Sequence, residues 1–363
     1  MKKIILIALI LVVGGSLLIY PLLKEEAPVF KNKQRSNAAI FTFKENLAVV
    51  GDEQVPLEIK INKEITKSDL YYNDSLIMSW DAPAGVLTYL FSPGMFGVGT
   101  RTLNLLSTLA DGSTFVDNRK VRVLSDVIPQ VMTTKIINTH PHNPTSFTQG
   151  LAFYKGLLYE GTGDPGNQGL TTVARVDLTT GEIKQKMGLS AGFFGEGITI
   201  LNNTLYQLTW QNQTCYTYDV TQNLQLKGEF NYADEGWGLC NDGAHLIMSD
   251  GSERITFRSP ETFEISHTIE VYNNQGPVNY LNELEYIEGK IYANVWTTNA
   301  VVVIDPVNGK VLQEINATNL VLKGQGTGEV LNGIAHNSAT GKTYMTGKYW
   351  GKLFEVDFVE PGL

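Results

Sequence analysis

Five times in the second half of the chain one short pattern returns: a small or acidic residue, then an apolar one, a turn, and further strand-like segments. The starts are Gly150-Leu151-Ala152-Phe153, Gly197-Ile198-Thr199-Ile200, Gly238-Leu239-Cys240-Asn241, Glu283-Leu284-Glu285-Tyr286 and Gly333-Ile334-Ala335-His336, spaced by 47, 41, 45 and 50 residues. A third strand runs into an aspartate at Val176-Asp177, Tyr218-Asp219, Ile304-Asp305 and Val356-Asp357, and hairpin turns stand at Asn202-Asn203, Asp242-Gly243 and Glu288-Gly289. A period of about 40 to 50 residues with several short strands per unit marks a β-propeller, because one blade buries its sheet face only against the next. Five units predict five blades. The alternative, an open sandwich of hairpins, rarely carries ~20 strands.

Composition agrees with an all-β chain. Gly (35), Tyr (16), Phe (15) and Trp (5) are abundant while charged residues make up only 18%, which excludes an all-helical or coiled-coil fold. The 43% apolar content suffices for buried cores over two or three domains. A formal charge of -9 excludes a nucleic-acid surface, since phosphate binding needs clustered Lys and Arg.

Two segments precede the repeats. Lys2-Lys3 is followed by an uncharged apolar run from Ile4 to Leu23, long enough to cross a bilayer as a helix. Its exit lacks an A-x-A-like cleavage site, so residues 1–26 read as an uncleaved anchor in preference to a removed signal. Either way the remainder is exported to the periplasmic or extracellular side. Between residues 30 and 128, strand-like segments at 38–43, 55–61, 76–79, 86–90, 100–109 and 114–123 alternate with turn signals, which suits an immunoglobulin-like β-sandwich acting as a spacer. Its Trp80 reads as core. The propeller is expected over 132–360. Cys215 and Cys240 are too few for a disulfide framework and read as one bridge or two buried thiols.

Several textual motifs carry no chemistry. Gly161-Thr162-Gly163-Asp164-Pro165-Gly166 matches a dinucleotide fingerprint, but Pro165 and the β-rich 170–176 leave no helix to receive a pyrophosphate. Gly341-Lys342-Thr343 lacks the upstream glycine of a phosphate loop. There is no HExxH, CxxC pair or nucleophile elbow, so neither a metal nor another cofactor is expected.

What remains is a set of polar and aromatic residues at equivalent blade positions. Phe147-Thr148-Gln149-Gly150, Phe193-Phe194-Gly195-Glu196-Gly197, Glu235-Gly236-Trp237-Gly238 and Asn282-Glu283-Leu284-Glu285 each lead into an innermost strand. Trp210, Trp296 and Lys348 each follow a second strand. In a propeller, such positions converge on one mouth of the central channel.

At these words the chain resembles the plant and bacterial type of glutaminyl cyclase, the glutamine cyclotransferases. The resemblance rests on His142-Asn143-Pro144, Phe147-Thr148-Gln149-Gly150-Leu151, Phe194-Gly195-Glu196-Gly197, Gln207-Leu208-Thr209-Trp210, Glu235-Gly236-Trp237-Gly238, Leu281-Asn282-Glu283-Leu284-Glu285, Asn294-Val295-Trp296 and Leu331-Asn332-Gly333-Ile334-Ala335, in order over roughly 137 to 358. It implies a five-bladed propeller that cyclises an N-terminal glutamine of a peptide or protein to pyroglutamate and releases ammonia, without a catalytic metal. One carboxylate that accepts and returns a proton suffices for this chemistry, and Glu196 between two glycines is the expected general acid and base. By resemblance Lys348, Asn282 and the indole N–H of Trp210 or Trp296 are donors for the oxyanion, and Gln149 binds the substrate's amide or amine. Phe147, Phe194, Trp237 and Trp296 would cage the glutaminyl side chain. Lys352, four residues past Lys348, competes for the lysine's role. Glu235, Glu283 and Glu285 read as structural. The partners expected are Gln-initiated peptides and, through the N-terminal segment, a membrane, with the protein a monomer. The competing function is a non-catalytic extracytoplasmic propeller that binds a partner loop with the same rim.

Overall fold

The computed structural model describes residues 5–13, 16–24, 30, 37–43, 45–51 and 53–362. The chain divides into two compact units, 1–96 with 100–123, and 97–99 with 124–363.

The apolar run read as a spanning helix is instead a backbone hairpin, Ile5–Val13 antiparallel to Ser16–Lys24, with Ile5 opposite Lys24 and Val13 opposite Ser16. Ile5, Ile7, Ile10, Val12 and Val13 are β-branched, so the composition suits a strand as readily as a helix. No helix among the described residues is long and apolar enough to cross a membrane. The other described strands of this unit form two sheets. One orders Asn46–Val50, Thr114–Leu124, Gly99–Thr108, Lys67–Tyr72 and Ser75–Asp81, and the other Ala39–Phe41, Val55–Ile61 and Val86–Phe91. Leu57, Ile59 and Phe91 of the smaller sheet share a core with Leu70, Tyr72, Leu103, Leu105, Val121 and Val123 of the larger. Trp80 packs half-buried against that core.

The second unit repeats one antiparallel meander. The first sheet runs Thr148–Tyr154, Leu157–Thr162, Thr172–Val176, Ile183–Gly188. The second runs Gly195–Leu201, Thr204–Thr209, Thr214–Asp219, Gln225–Asn231, and the third Leu239–Asn241, Leu246–Ser249, Arg254–Arg258, Ile265–Glu270. An eight-stranded sheet holds the remainder: Leu281–Ile287, Lys290–Val295, Ala300–Ile304 and Val311–Asn316 on one side, and Leu331–Asn337, Lys342–Gly347, Lys352–Val359 and Gln130–Pro141 on the other. Its halves meet along a parallel pairing of Gln130–Pro141 with Val311–Asn316. One helix, Thr318–Gly324, bridges them in sequence.

Local chemistry dictates these hairpins. Asn202 and Asn203 (φ +50° and +63°) and Glu288 and Gly289 (φ +48° and +80°) supply the left-handed pair that a two-residue turn needs. The recurring aspartates close the third strand onto a fourth: Asp177 Oδ1 accepts the N–H groups of Thr179 and Thr180, and Asp219 Oδ1 that of Thr221. Asp357 differs. It lies inside Lys352–Val359, opposite Lys135, because the outermost strand of that meander comes from 130–141 and no turn is required.

The first strands of the meanders pack side by side in chain order, and Leu331–Asn337 packs back on Thr148–Tyr154, so the series closes on itself. Glycine sets this spacing. A Cβ on Gly150 or Gly197 would stand 2.5 Å from the next strand's Ile198 or Leu239 nitrogen, and one on Gly238 1.9 Å from the Asn282 carbonyl oxygen. Only bare backbone lets neighbouring strands approach so closely.

Candidate active site

Four functional stretches sit in breaks of strand register, while the one carrying Trp237 leads into Leu239–Asn241, whose pairing is unbroken. The pairing shifts between Thr148 and Gly150, Gly195 and Ile198, Leu281 and Leu284, and Leu331 and Ile334. The residues inside these breaks include Gln149, Glu196, Asn282 and Asn332. A bulge re-aims a side chain that regular pleating would send into a sheet core.

Beyond each break, the residue following the second strand is tied to the loop before the first. Trp210 N–H donates to the Phe194 carbonyl (2.9 Å), Trp296 N–H to that of Tyr280 (2.8 Å) and Lys348 N–H to that of Val330 (3.0 Å). Residues distant in sequence thereby reach one opening. Phe147, Gln149, Phe194, Glu196, Trp210, Trp237, Asn282, Trp296 and Lys348, all nine expected from sequence, line a single cavity of about 170 Å³. Sites for drug-sized ligands begin at roughly 300 Å³, so this one suits a single side chain.

Glu196 forms the cavity's polar focus. Its Oε1 accepts from Gln149 Nε2 at 3.0 Å, while Oε2 is buried with no hydrogen-bond partner among the described residues. The Gln149 amide is itself fixed, its Oε1 accepting from Asn332 Nδ2 at 3.0 Å. Burial pushes the Glu196 carboxyl well above the ordinary range; the Lys348 ammonium opposes this and the Glu235 carboxylate adds to it. Burial also draws Lys348 below the usual lysine value, against the pull of Glu196 and Glu329. The Lys348 Nζ stands 4.6 Å from the centroid of the Phe147 ring. Lys352, by contrast, donates to the Lys323 carbonyl at the surface.

The aromatic lining falls into two groups. Phe147, Phe194 and Trp210 contact edge to face in series (5.9 and 5.8 Å between centroids), and Trp237 stands against Trp296 at 5.5 Å. Trp210 corrects the sequence reading: its indole N–H donates to Glu235 Oε2 at 2.7 Å, so it is not free for an oxyanion. Of the expected donors, Lys348, Asn282 and Trp296 stay on the cavity lining without such a competing indole bond.

Sequence reasoning left three residues unassigned. Asn332 lay in a quoted motif but carried no role. Tyr349, held with φ +60° and its N–H on the Ser146 carbonyl, packs on Phe147 at 5.1 Å, and Tyr280, at φ +63°, sits against Trp296. No strand periodicity announces aromatic residues in such turns.

A buried pair braces the site from behind. His142 Nε2 meets Glu160 Oε1 at 3.0 Å and its Nδ1 meets the Trp350 carbonyl at 2.6 Å, while Ser146 and Thr148 hydroxyls donate to the same carboxylate. Burial opposes both charges, yet their mutual attraction leaves His142 raised and Glu160 lowered. The flanks of Phe147 and Gln149 are thus tied to the turn after Lys348. Glu283 takes a structural role, accepting the Leu151 N–H (3.2 Å) and the Ile334 N–H (2.7 Å) from two other first strands. Burial and neighbouring Glu285 push its carboxyl well up, and burial brings Glu285 to about 8. Cys215 and Cys240 are free, buried thiols, pushed up by desolvation and so poorly reactive. Among the described residues no group of three or more His, Cys, Asp or Glu could hold a metal ion.

Fold and site together define an all-β protein that gathers side chains from successive meanders around one buried carboxylate in an aromatic cavity. The chain belongs to the glutamine cyclotransferase family, whose model matches residues 107–358. It is 36% identical over 237 residues to the glutaminyl-peptide cyclotransferase of Arabidopsis thaliana, covering 64% of this chain and 73% of that protein. Among solved structures, the glutaminyl cyclase of Myxococcus xanthus matches with a TM-score of 0.60 at 35% identity, over 64% of this chain and 98% of that one.

Proposed function

We infer that this chain is a glutaminyl-peptide cyclotransferase with Glu196 as its proton carrier. The observation that carries the mechanism is a Glu196 carboxyl on the lining of an aromatic cavity sized for one side chain, its buried Oε2 without a hydrogen-bond partner among the described residues. The N-terminal glutamine enters with its side chain among Phe147, Phe194, Trp237 and Trp296. Oε2 takes a proton from the α-ammonium, and the freed amine attacks the γ-amide carbon, forming the ring C–N bond. Lys348, Asn282 and the Trp296 indole stabilise negative charge on the former carbonyl oxygen. Glu196 returns its proton to the amide nitrogen as that C–N bond breaks, then takes the second proton of the attacking nitrogen and passes it to the departing ammonia, giving ammonium and a pyroglutamyl peptide. The proton balance closes on one carboxylate, with no cofactor.

We further read the closed series of meanders as a five-bladed propeller whose last blade is completed by 130–141. The two-sheet unit is read as an immunoglobulin-like spacer. The dibasic start and the uncharged run after it support export of the enzyme to the outer side of the cytoplasmic membrane, while the run itself, paired as a strand hairpin, is not read as a spanning helix. The test of the activity is a Gln-initiated dipeptide incubated with the protein: free ammonia and a product lighter by one NH3 are expected, and no release would refute the reading.

A further inference from the structure

One carboxylate joins the two aromatic groups of the cavity. Glu235 Oε2 accepts both the Trp210 indole N–H at 2.7 Å and the Trp237 indole N–H at 3.0 Å, and its Oε1 accepts from Gln211 Nε2 at 3.0 Å. Trp210 belongs to the group that includes Phe194, and Trp237 to the pair with Trp296. The loop carrying Glu235 is itself fixed: Gly236 N–H donates to the Trp210 carbonyl at 3.1 Å, and a Cβ on Gly236 would collide with the Tyr232 hydroxyl. The geometry exceeds what a solvated rim carboxylate needs.

We propose that Glu235 is a positioning residue of the reaction, whose carboxylate holds the Trp210 and Trp237 indoles as one wall of the cavity that Glu196 lines and sets a fixed negative charge behind that wall. The proposal rests on the cyclotransferase reading above. Burial works against the charge on Glu235, but the hydrogen bonds from Gln211, Trp237 and Trp210 outweigh it and keep the group ionised. Of the ionisable groups near Glu196, Lys348 favours its charged form, Glu235 disfavours it, and Tyr232 is buried and neutral. Glu235 thus holds the proton affinity of Glu196 high, which suits a group that must give the proton back to a leaving nitrogen.

The experiment uses the full chain and a Gln-initiated dipeptide. Glu235→Gln keeps an oxygen acceptor and removes the charge. Glu235→Ala removes both. Asp234→Asn, next along the chain and salt-bridged to Arg254 at 3.6 Å, removes a neighbouring charge with no indole contact. Glu235→Gln is expected to move the acid limb of kcat/KM to lower pH. Glu235→Ala makes the same move, raises KM by about tenfold, and alters the near-ultraviolet circular dichroism of the substrate-free protein. Asp234→Asn leaves the acid limb in place. An acid limb unmoved in Glu235→Gln overturns the electrostatic role, and an unchanged KM and spectrum in Glu235→Ala overturns the positioning role. Should the alanine variant fail to fold, the glutamine variant decides by its acid limb and spectrum. The spectrum needs no turnover, so a failure of the cyclotransferase reading stays distinguishable from a failure here.

Discussion

Gln149 donates to Glu196 Oε1 at 3.0 Å and so leaves Oε2, itself buried, as the carboxyl oxygen with no hydrogen-bond partner among the described residues. Because Asn332 holds the far end of the Gln149 amide, the orientation of the Glu196 carboxyl is set by a chain of three side chains from three meanders. Gln149→Ala leaves Glu196 free to rotate and removes a hydrogen bond to its charged form, an interaction of about 1.5–3 kcal/mol. Steady-state kinetics should show kcat reduced by roughly ten- to a hundredfold, with KM changed less.

The raised carboxyl of Glu196 fixes the pH profile. Its charged form accepts the proton, so kcat/KM falls as pH drops through its elevated pKa, and the acid limb should lie well above the ordinary glutamate value of about 4.3. Lys348→Met removes the cation that opposes the shift and should move the limb still higher, as well as lowering kcat. Initial rates across about pH 4 to 9 read both effects.

Stability carries a second pH signature. The folded pKa of Glu285, at about 8, exceeds the unfolded carboxylate value, and Glu283 is shifted the same way. Their contribution is fully present below the unfolded pKa and is lost as pH rises through the folded one. Thermal melts should therefore show Tm declining from about pH 5 toward 8, and Glu285→Gln should flatten that slope.

The His142 and Glu160 pair brackets the opposite effects. Raised His142 loses its contribution as pH rises through its folded pKa, and lowered Glu160 loses its own as pH falls. Removing one partner of such a buried pair costs about 3–5 kcal/mol, so Glu160→Ala should lower Tm sharply. Pairing it with His142→Ala should cost less than the sum of the two single changes, which a double-mutant cycle in denaturant measures.

Gly163, part of the textual dinucleotide match, has a packing role instead. A Cβ there would stand 2.4 Å from the Phe194 ring. Gly163→Ala must displace that ring, and kcat/KM is expected to fall about tenfold.

Sequence legibility followed local chemistry. The repeats were visible because each meander opens with the same glycine or acidic position and turns on the same Asn, Asp and Gly pairs. The nine cavity residues could be named because they occupy equivalent places in those repeats and stand in motifs that resemble those of the family. The fourth strands were less visible: Ile183–Gly188 and Gln225–Asn231 lie exposed at the outer edge and carry little apolar alternation. Lys67–Tyr72 escaped notice because buried Ser68 and Asp69 break its pattern. The closing role of 130–141 pairs residues from 183 to 226 positions apart, which no local period encodes. The loss of Trp210 as an oxyanion donor depends on a side-chain rotamer that sequence does not state.

The most direct test replaces one atom. Glu196→Gln preserves the shape of the side chain and removes its capacity to carry a proton. With ammonia release from a Gln-initiated dipeptide as the readout, wild-type protein should turn over and the variant should be slower by about a thousandfold, at unchanged melting temperature. Equal rates from the two proteins would contradict Glu196 as the proton carrier.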